Sequence, residues 1–330
     1  MPLRTAVIGA GSLGRHHARI HHALAVEQQS EFVAVCDLNE ETARSVGNER
    51  ETEWTTDWRQ LIGKVDAVSL AVPTESHCEI ACELLDAGIH VLVEKPISRT
   101  LEEADRMIAA AKNGNAVLQV GHLERFNPAM VALRPHVRRP VYFEIHRVGQ
   151  FTARSLDIDV VLDLMIHDLD IVQWLVGEDV DVTSISAVGI AILTNRVDAA
   201  NARLEFATGA VANITASRVG TERIRKMRFF QPHDYVAIDY ATKRASVSSL
   251  APPSATGAWP GVHVQNLDVI DVEPLRAEIV SFLEAAAGNG PVAITGEAGR
   301  RALSLALRTL ERIREHAEHP GVSQLSVREG

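Results

Sequence analysis

The chain has 330 residues, more than a usual single domain, so two domains are expected. Apolar residues make up 46% and charged residues 23%, a balance that buries a core and argues against intrinsic disorder. The net charge of −10 argues against nucleic-acid binding. The longest apolar runs are strand-length, well short of the roughly 20 residues that cross a bilayer. The N-terminus lacks the apolar stretch and cleavage site of a signal peptide, so a cytoplasmic location without membrane attachment is expected. Cys36, Cys78 and Cys82 are odd in number and lie in apolar surroundings, which suits reduced packing residues.

Residues 4–8 (RTAVI) predict a short strand, followed by GAGSLG and then by RHHARIHHAL with helical periodicity. A GxGxxG between strand and helix supplies a tight turn, close backbone approach to a pyrophosphate, and a helix N-terminus facing it. Gly9, Gly11, Ser12, Leu13 and Gly14 are therefore expected to bind a dinucleotide. The next strand, EFVAVCD, ends on Asp37. An acid about 20 residues beyond the glycines accepts the adenine ribose hydroxyls and repels a 2′-phosphate, which favours NAD over NADP.

The alternation continues with a strand at 67–73, a helix at 76–88, a strand at 90–94, a helix at 101–114 and a strand at 116–121. Apolar strands alternating with amphipathic helices predict an α/β fold, a doubly wound parallel Rossmann sheet covered on both faces. Pro73, Thr74, Glu94 and Lys95 fall at the C-terminal ends of strands, where such sheets bind ligands. In HVLVEKPISRT a buried strand ends on an acid, a base and Pro96, which holds the Glu-Lys pair at the cofactor edge. His16, His17, His21 and His22 crowd the first helix, and His77 adjoins Cys78 and Cys82. The cysteine cluster lacks the second ligand pair of a zinc site, and the histidine helix is engaged at the cofactor loop with no acid partner at the right spacing, so no metal is expected.

The alternation stops after GHLERFNP, which sets the expected domains at 1–122 for NAD binding and 123–330 for substrate binding and oligomerisation. A strand is expected at 141–151, then a buried helix in DVVLDLMIHDLDIVQWLVG. Asp163 and His167, four residues apart, share one face of it. Removal of hydride from a secondary alcohol leaves a proton on oxygen, and histidine is the natural base. Asp163 then orients a hydroxyl or holds the imidazole, and Lys95 steadies the developing alkoxide. From 182 to 272, period-two segments broken by turns predict a large open, mostly antiparallel sheet in an α+β domain. Its basic residues, Arg218 and Arg225 among them, together with Arg125, Arg147 and Arg154, are candidates for a substrate diphosphate. A solvated strand face that discourages edge pairing is an equal reading. Two helices close the chain, the first starting near Pro274.

GAGSLG, AVPTESH, VEKP and GHLERFNP, in that order and spacing, resemble the glucose-fructose oxidoreductase, inositol dehydrogenase and MocA (Gfo/Idh/MocA) family of NAD(P)-dependent sugar dehydrogenases. The likeness covers nearly the whole chain. It implies that Lys95 touches the reacting hydroxyl and the nicotinamide end of the cofactor, and that Glu94 lies near the nicotinamide ribose and His77 near the cofactor. By the same likeness Asp163 and His167 are the substrate-orienting residue and general base of a DxxxH pair. It implies a substrate held between the domains and a homodimer or homotetramer joined through the open sheet face. The stretch from HRVGQF onward, with LDIDV where many members carry glycines, is similar to the subgroup that oxidises UDP-N-acetylglucosamine at its 3-hydroxyl and feeds an aminotransferase. A dehydrogenase of a free sugar or polyol such as myo-inositol is the alternative, and a non-catalytic NAD-sensing regulator is a second. The basic residues of the second half argue against the former, and the joint presence of Lys95, Asp163 and His167 argues against the latter.

Overall fold

The computed structural model describes residues 2–150, 158–250 and 261–319. Its contacts group into two units, Met1–Leu123 with Val272–Leu303, and Glu124–Asp271 with Ser304–Gly330. The expected boundary at 122/123 is one residue away at that point. The return of residues 272–303 to the first unit departs from the expectation and follows from how its sheet is covered.

The first unit holds β1 (Leu3–Ile8), β2 (Ser30–Cys36), β3 (Glu53–Thr55), β4 (Ala67–Leu70), β5 (His90–Glu94) and β6 (Leu118–Gly121). They form one parallel sheet in the order β3-β2-β1-β4-β5-β6. β4 and β6 are buried along their whole length and β5 from Val91 onward, as parallel strands covered on both faces must be. The connections are α1 (Gly14–Val26), α2 (Glu40–Glu49), α3 (His77–Asp86) and α4 (Leu101–Asn113). The chain steps outward from β1 in one direction through α1 and α2, and from β4 in the other through α3 and α4. Right-handed crossovers therefore put the two pairs on opposite faces, and α3 packs on α4.

That arrangement leaves the α1 face of β4–β6 without a local helix, and α7 (Pro274–Ala286) fills the place. Its Leu275, Ile279, Phe282 and Leu283 join Ile20 and Leu24 of α1, Ala67 and Leu92 in one cluster. Burying a ring such as that of Phe282 is worth about 1.5–3 kcal/mol. Two ion pairs, Arg19 with Glu273 and Arg276 with Glu27, tie α7 to α1 at the surface.

The second unit begins with α5 (Pro128–Leu133) and is built on β7 (Tyr142–Gln150), β8 (Val182–Ile190), β9 (Ala199–Phe206), β10 (Val211–Gly220), β11 (Ile224–Gln231), β12 (Asp234–Asp239), β13 (Arg244–Leu250) and β14 (Val262–Asn266). The sheet order is β14-β13-β12-β11-β7-β10-β9-β8. Every neighbour pair is antiparallel except β7 with β10, which run parallel. Alternation of burial gives an inner face carrying Phe143, Ile145, Met227 and Phe229 and an outer face with Asn201, Arg203 and Arg228. A π-helical turn at Val161–Met165 and α6 (Ile166–Val176) follow β7 in the chain, and the turn packs on β10. α8 (Gly296–Ala317) crosses the division between the units. No described helix is long and apolar enough to cross a membrane.

Candidate active site

The glycine loop after β1 has the shape of a phosphate cradle. Gly9 has φ +88°, and a Cβ there would lie 2.5 Å from the Ala71 carbonyl oxygen. A Cβ on Gly14 would lie 1.7 Å from the Gly9 oxygen, so the helix packs on the strand only because that atom is missing. At Gly11 a Cβ would meet nothing within 4 Å, which leaves the loop open on the side where a ligand approaches. Ser12 and Leu13 are exposed there. α1 has no side-chain cap and no acid in its first turn, so the positive end of its dipole meets no side-chain charge there, while the Arg15 and His16 N–H groups are bonded to the Gly11 and Leu13 oxygens.

Asp37 follows β2 and ties that edge together. Its Oδ2 accepts the Ala10 N–H at 2.7 Å and its Oδ1 the Asn39 N–H at 2.9 Å. An open glycine turn, an uncapped helix and a fixed carboxylate at the next strand end together fit a dinucleotide with an unphosphorylated ribose.

Pro73 is exposed just past β4, and Thr74 opens a 3-10 turn beside it. His77 is buried with a main-chain oxygen at each ring nitrogen, and its neutral ring donates to one of them. Its Nδ1 lies 3.1 Å from the Pro96 oxygen and its Nε2 3.0 Å from the Val72 oxygen. Burial lowers its pKa against the pull of those carbonyls. The Lys95–Pro96 bond is cis. His77 thus pins the β4 exit to the β5 exit, which positions the segments bearing Thr74 and Lys95.

Glu94 is buried, and its Oε1 accepts a hydrogen bond from His17 Nε2 at 2.9 Å. Its Oε2 lies 3.3 Å from the Lys95 N–H. Burial alone would raise the Glu94 pKa, but the His17 hydrogen bond and the nearby charges of His17 and Lys95 outweigh it and keep the carboxyl below its usual range. Gly121, opposite Glu94 on β6, makes room: a Cβ there would stand 3.1 Å from Glu94 Oε2. His17 was visible in sequence only as one of four histidines on a helix. Its partner is 77 residues away in the chain, so no local signal marks the pairing.

In the second unit, Asp163 lies in the π-helical turn and His167 is the second residue of α6, both half-buried. The expected single helix is therefore a π turn running into an α-helix, a form common at functional sites. Two arginine–carboxylate ladders brace α6. Arg147 makes two bonds to Asp168, Nε to Oδ2 at 2.7 Å and Nη2 to Oδ1 at 2.8 Å, and its Nη1 bonds Glu124 at 2.7 Å. Arg125 makes the same fork to Asp170 at 2.8 and 2.6 Å, with Glu178 at 2.8 Å. Burial works against the Arg147 charge, and the Asp168 and Glu124 carboxylates outweigh it, so its pKa stands above the ordinary arginine value.

These ladders alter the diphosphate set. Arg125 and Arg147 are buried with their charges taken up by carboxylates rather than offered to a diphosphate. Arg218 is also buried, close to Asp198 and bonded to the Ile158 carbonyl, and falls outside the diphosphate set as well. Arg154 lies outside the described residues. Arg225 differs. It is half-buried on the inner face beside Arg147, and its contact with Glu124, at 3.9 Å, goes to an oxygen already bonded to Arg147. Burial first, then the Arg147 charge, lowers its pKa, as expected of a cation with too little counter-charge. Among the described residues no three His, Cys, Asp or Glu side chains gather as metal ligands.

Comparison with known proteins agrees with this layout. The profile of the GFO_IDH_MocA oxidoreductases, with their NAD-binding Rossmann fold, matches residues 3–122, and that of the family's C-terminal domain matches residues 102–230. The chain is 40% identical over 308 residues to a UDP-N-acetylglucosamine 3-dehydrogenase from Acidithiobacillus ferrooxidans, covering 93% of this chain and 96% of that one. The chain belongs to the Gfo/Idh/MocA oxidoreductase family. It is an oxidoreductase, and its cofactor is NAD.

The crystal structure of the Acidithiobacillus ferrooxidans enzyme superposes with a TM-score of 0.88 at 37% identity, covering 96% of this chain and 99% of that one. A scyllo-inositol 2-dehydrogenase (NAD(+)) from Bacillus subtilis is 29% identical over 238 residues, 66% of this chain and 67% of that one. Levoglucosan dehydrogenase, solved with NADH, shares the fold at a TM-score of 0.83, 20% identity and 96% and 98% coverage of the two chains. Within the family frame, the glycine turn, Asp37 and the Glu94–Lys95 strand end belong to the NAD-binding domain. The π turn and α6 fall within the span of the C-terminal domain profile.

Proposed function

We propose that this protein is an NAD-dependent dehydrogenase of UDP-N-acetylglucosamine that oxidises the 3-hydroxyl to a ketone. What carries the reading is the end-to-end match at 40% identity to an enzyme of that name, against partial matches to inositol dehydrogenases. NAD, when bound, supplies the hydride acceptor. The chain's own residues supply the rest. The α1 N-terminus and the Gly11 opening receive the pyrophosphate, and Asp37 takes the adenine ribose hydroxyls. Lys95 steadies negative charge on the reacting oxygen, and His167 takes its proton. Asp163 orients the sugar, and Arg225 offers its under-compensated charge to the diphosphate.

We further read the protein as a cytoplasmic homo-oligomer, a dimer or tetramer, whose keto product goes to an aminotransferase, since a ketone is the electrophile that an amino donor needs. Purified protein, with NAD and a carbonyl trap, is expected to reduce the nicotinamide with UDP-N-acetylglucosamine and not with myo-inositol. His167→Ala is expected to lower kcat by about 10²–10⁴ while NAD still binds. Turnover of the polyol in place of the sugar nucleotide would sink the substrate reading.

A further inference from the structure

α7 presents a helical stripe to the first unit's sheet, and one position breaks the pattern. Leu275, Ile279, Phe282 and Leu283 are the apolar stripe, and Glu278 lies among them, fully buried, with no hydrogen bond on either carboxyl oxygen. A leucine would suit that position on packing grounds, and a carboxyl without partners is costly there.

Glu278 lies in a layer that is polar along a single seam. Strand register sets Ser69, Leu92 and Gln119 side by side, with Glu94 and Gly121 one pleat further on the same face. From α1, His21 bonds Ser69 at 2.9 Å and His17 bonds Glu94. Gln119 Nε2 donates to the Glu278 main-chain oxygen at 3.3 Å. The titratable groups facing this layer are His17 and His21 from α1 and Glu94 from β5. His17 Nδ1 and Gln119 Oε1 are buried without hydrogen-bond partners. Gln119 Oε1 can only accept, so the layer lacks a donor there.

We propose that Glu278 is a positioning residue for the reaction: a neutral, proton-bearing carboxyl that supplies the missing donor beneath Glu94 and so fixes the strand end carrying Lys95. Two carboxyls in one dry layer do not both ionise. Glu94 keeps the charge because His17 and the Lys95 N–H hold it, and Glu278, with burial and the Glu94 charge both raising its pKa well above the usual range, keeps the proton. Loss of that proton at alkaline pH would set two anions against each other and loosen the Glu94–Lys95 turn.

The proposal rests on the reading of Lys95 as a residue at the nicotinamide, but not on the sugar substrate, so its test uses NAD binding by calorimetry across neutral and alkaline pH. Wild type is expected to bind evenly at neutral pH and to weaken at alkaline pH. Glu278→Gln, a neutral donor, is expected to keep the neutral affinity and lose the alkaline weakening. Glu278→Leu is expected to bind about tenfold more weakly at all pH, the worth of roughly one hydrogen bond. Infrared difference spectra of wild type against Glu278→Gln are expected to show a carboxylic-acid carbonyl band at neutral pH, a readout that stands if the leucine variant fails to fold. An unchanged alkaline limb in Glu278→Gln, or no acid band, would overturn the proposal. The expected NAD pattern with no turnover of any sugar nucleotide would keep it and remove the substrate reading instead.

Discussion

His21 carries a pH liability that the first unit accepts in exchange for a dry seam. Its ring is fully buried, bonded to Ser69 and stacked on Phe32 with centroids 5.7 Å apart. Burial, then the neighbouring His17, lowers its pKa to about 3. The unfolded chain takes up a proton on this residue near pH 6.5, and the folded chain does not, so stability falls as pH drops from about 6.5 to about 3, by up to about 5 kcal/mol. His21→Leu is expected to flatten that part of the acid slope in denaturant titrations, and an unchanged slope would count against the assignment. Asp37 gives a second test at this scale. Asp37→Ser removes the charge that repels a 2′-phosphate, so the ratio of NADP to NAD affinity is expected to rise by about tenfold or more. Calorimetry with the two cofactors checks it, and an unchanged ratio would place cofactor choice elsewhere. The glycine spacing and Asp37 are legible in sequence because they are local, a few residues around two strand ends. His17 and Glu278 are not, because each takes its meaning from a residue on a distant element.

α6 is held by charges rather than by apolar packing alone, and this sets its sensitivity. The Arg147–Asp168–Glu124 group is buried on all sides, so removing the cation leaves two carboxylates uncompensated. Arg147→Met is expected to cost about 3–5 kcal/mol, read as a lower Tm, while an unshifted Tm would show the ladder to be incidental. These arginines are prominent in sequence as cations in an acidic chain, which is why they suggest a diphosphate. Only the register of β7 against β11 and the turn of α6 show that carboxylates meet them first. The same limit applies to α7. Its amphipathic stripe shows that it packs, but periodicity does not say on which sheet, and the nearest sheet in sequence is not the one it covers. Period-two alternation likewise marks β7 and β10 as strands and is silent on their parallel pairing.

At the scale of the molecule, the first unit is discontinuous: a Rossmann sheet whose second face is completed only when residues 272–303 return to it. The alternation of apolar strands with helices makes that sheet readable from sequence, because buried parallel strands are apolar at nearly every position. The second unit is readable as a sheet from its alternation, while the ladders that brace α6 behind it are not. The reaction we propose is hydride removal from a single carbon of a sugar nucleotide. The most direct test is UDP-N-acetylglucosamine carrying deuterium at carbon 3, incubated with the protein and NAD, with the reduced cofactor examined by mass spectrometry. The deuterium is expected to appear in the reduced cofactor with wild type, and its transfer to be strongly slowed in His167→Ala. Reduced cofactor without the label, with deuterium retained in the sugar, would show that another carbon is oxidised and would overturn the assignment of the 3-hydroxyl.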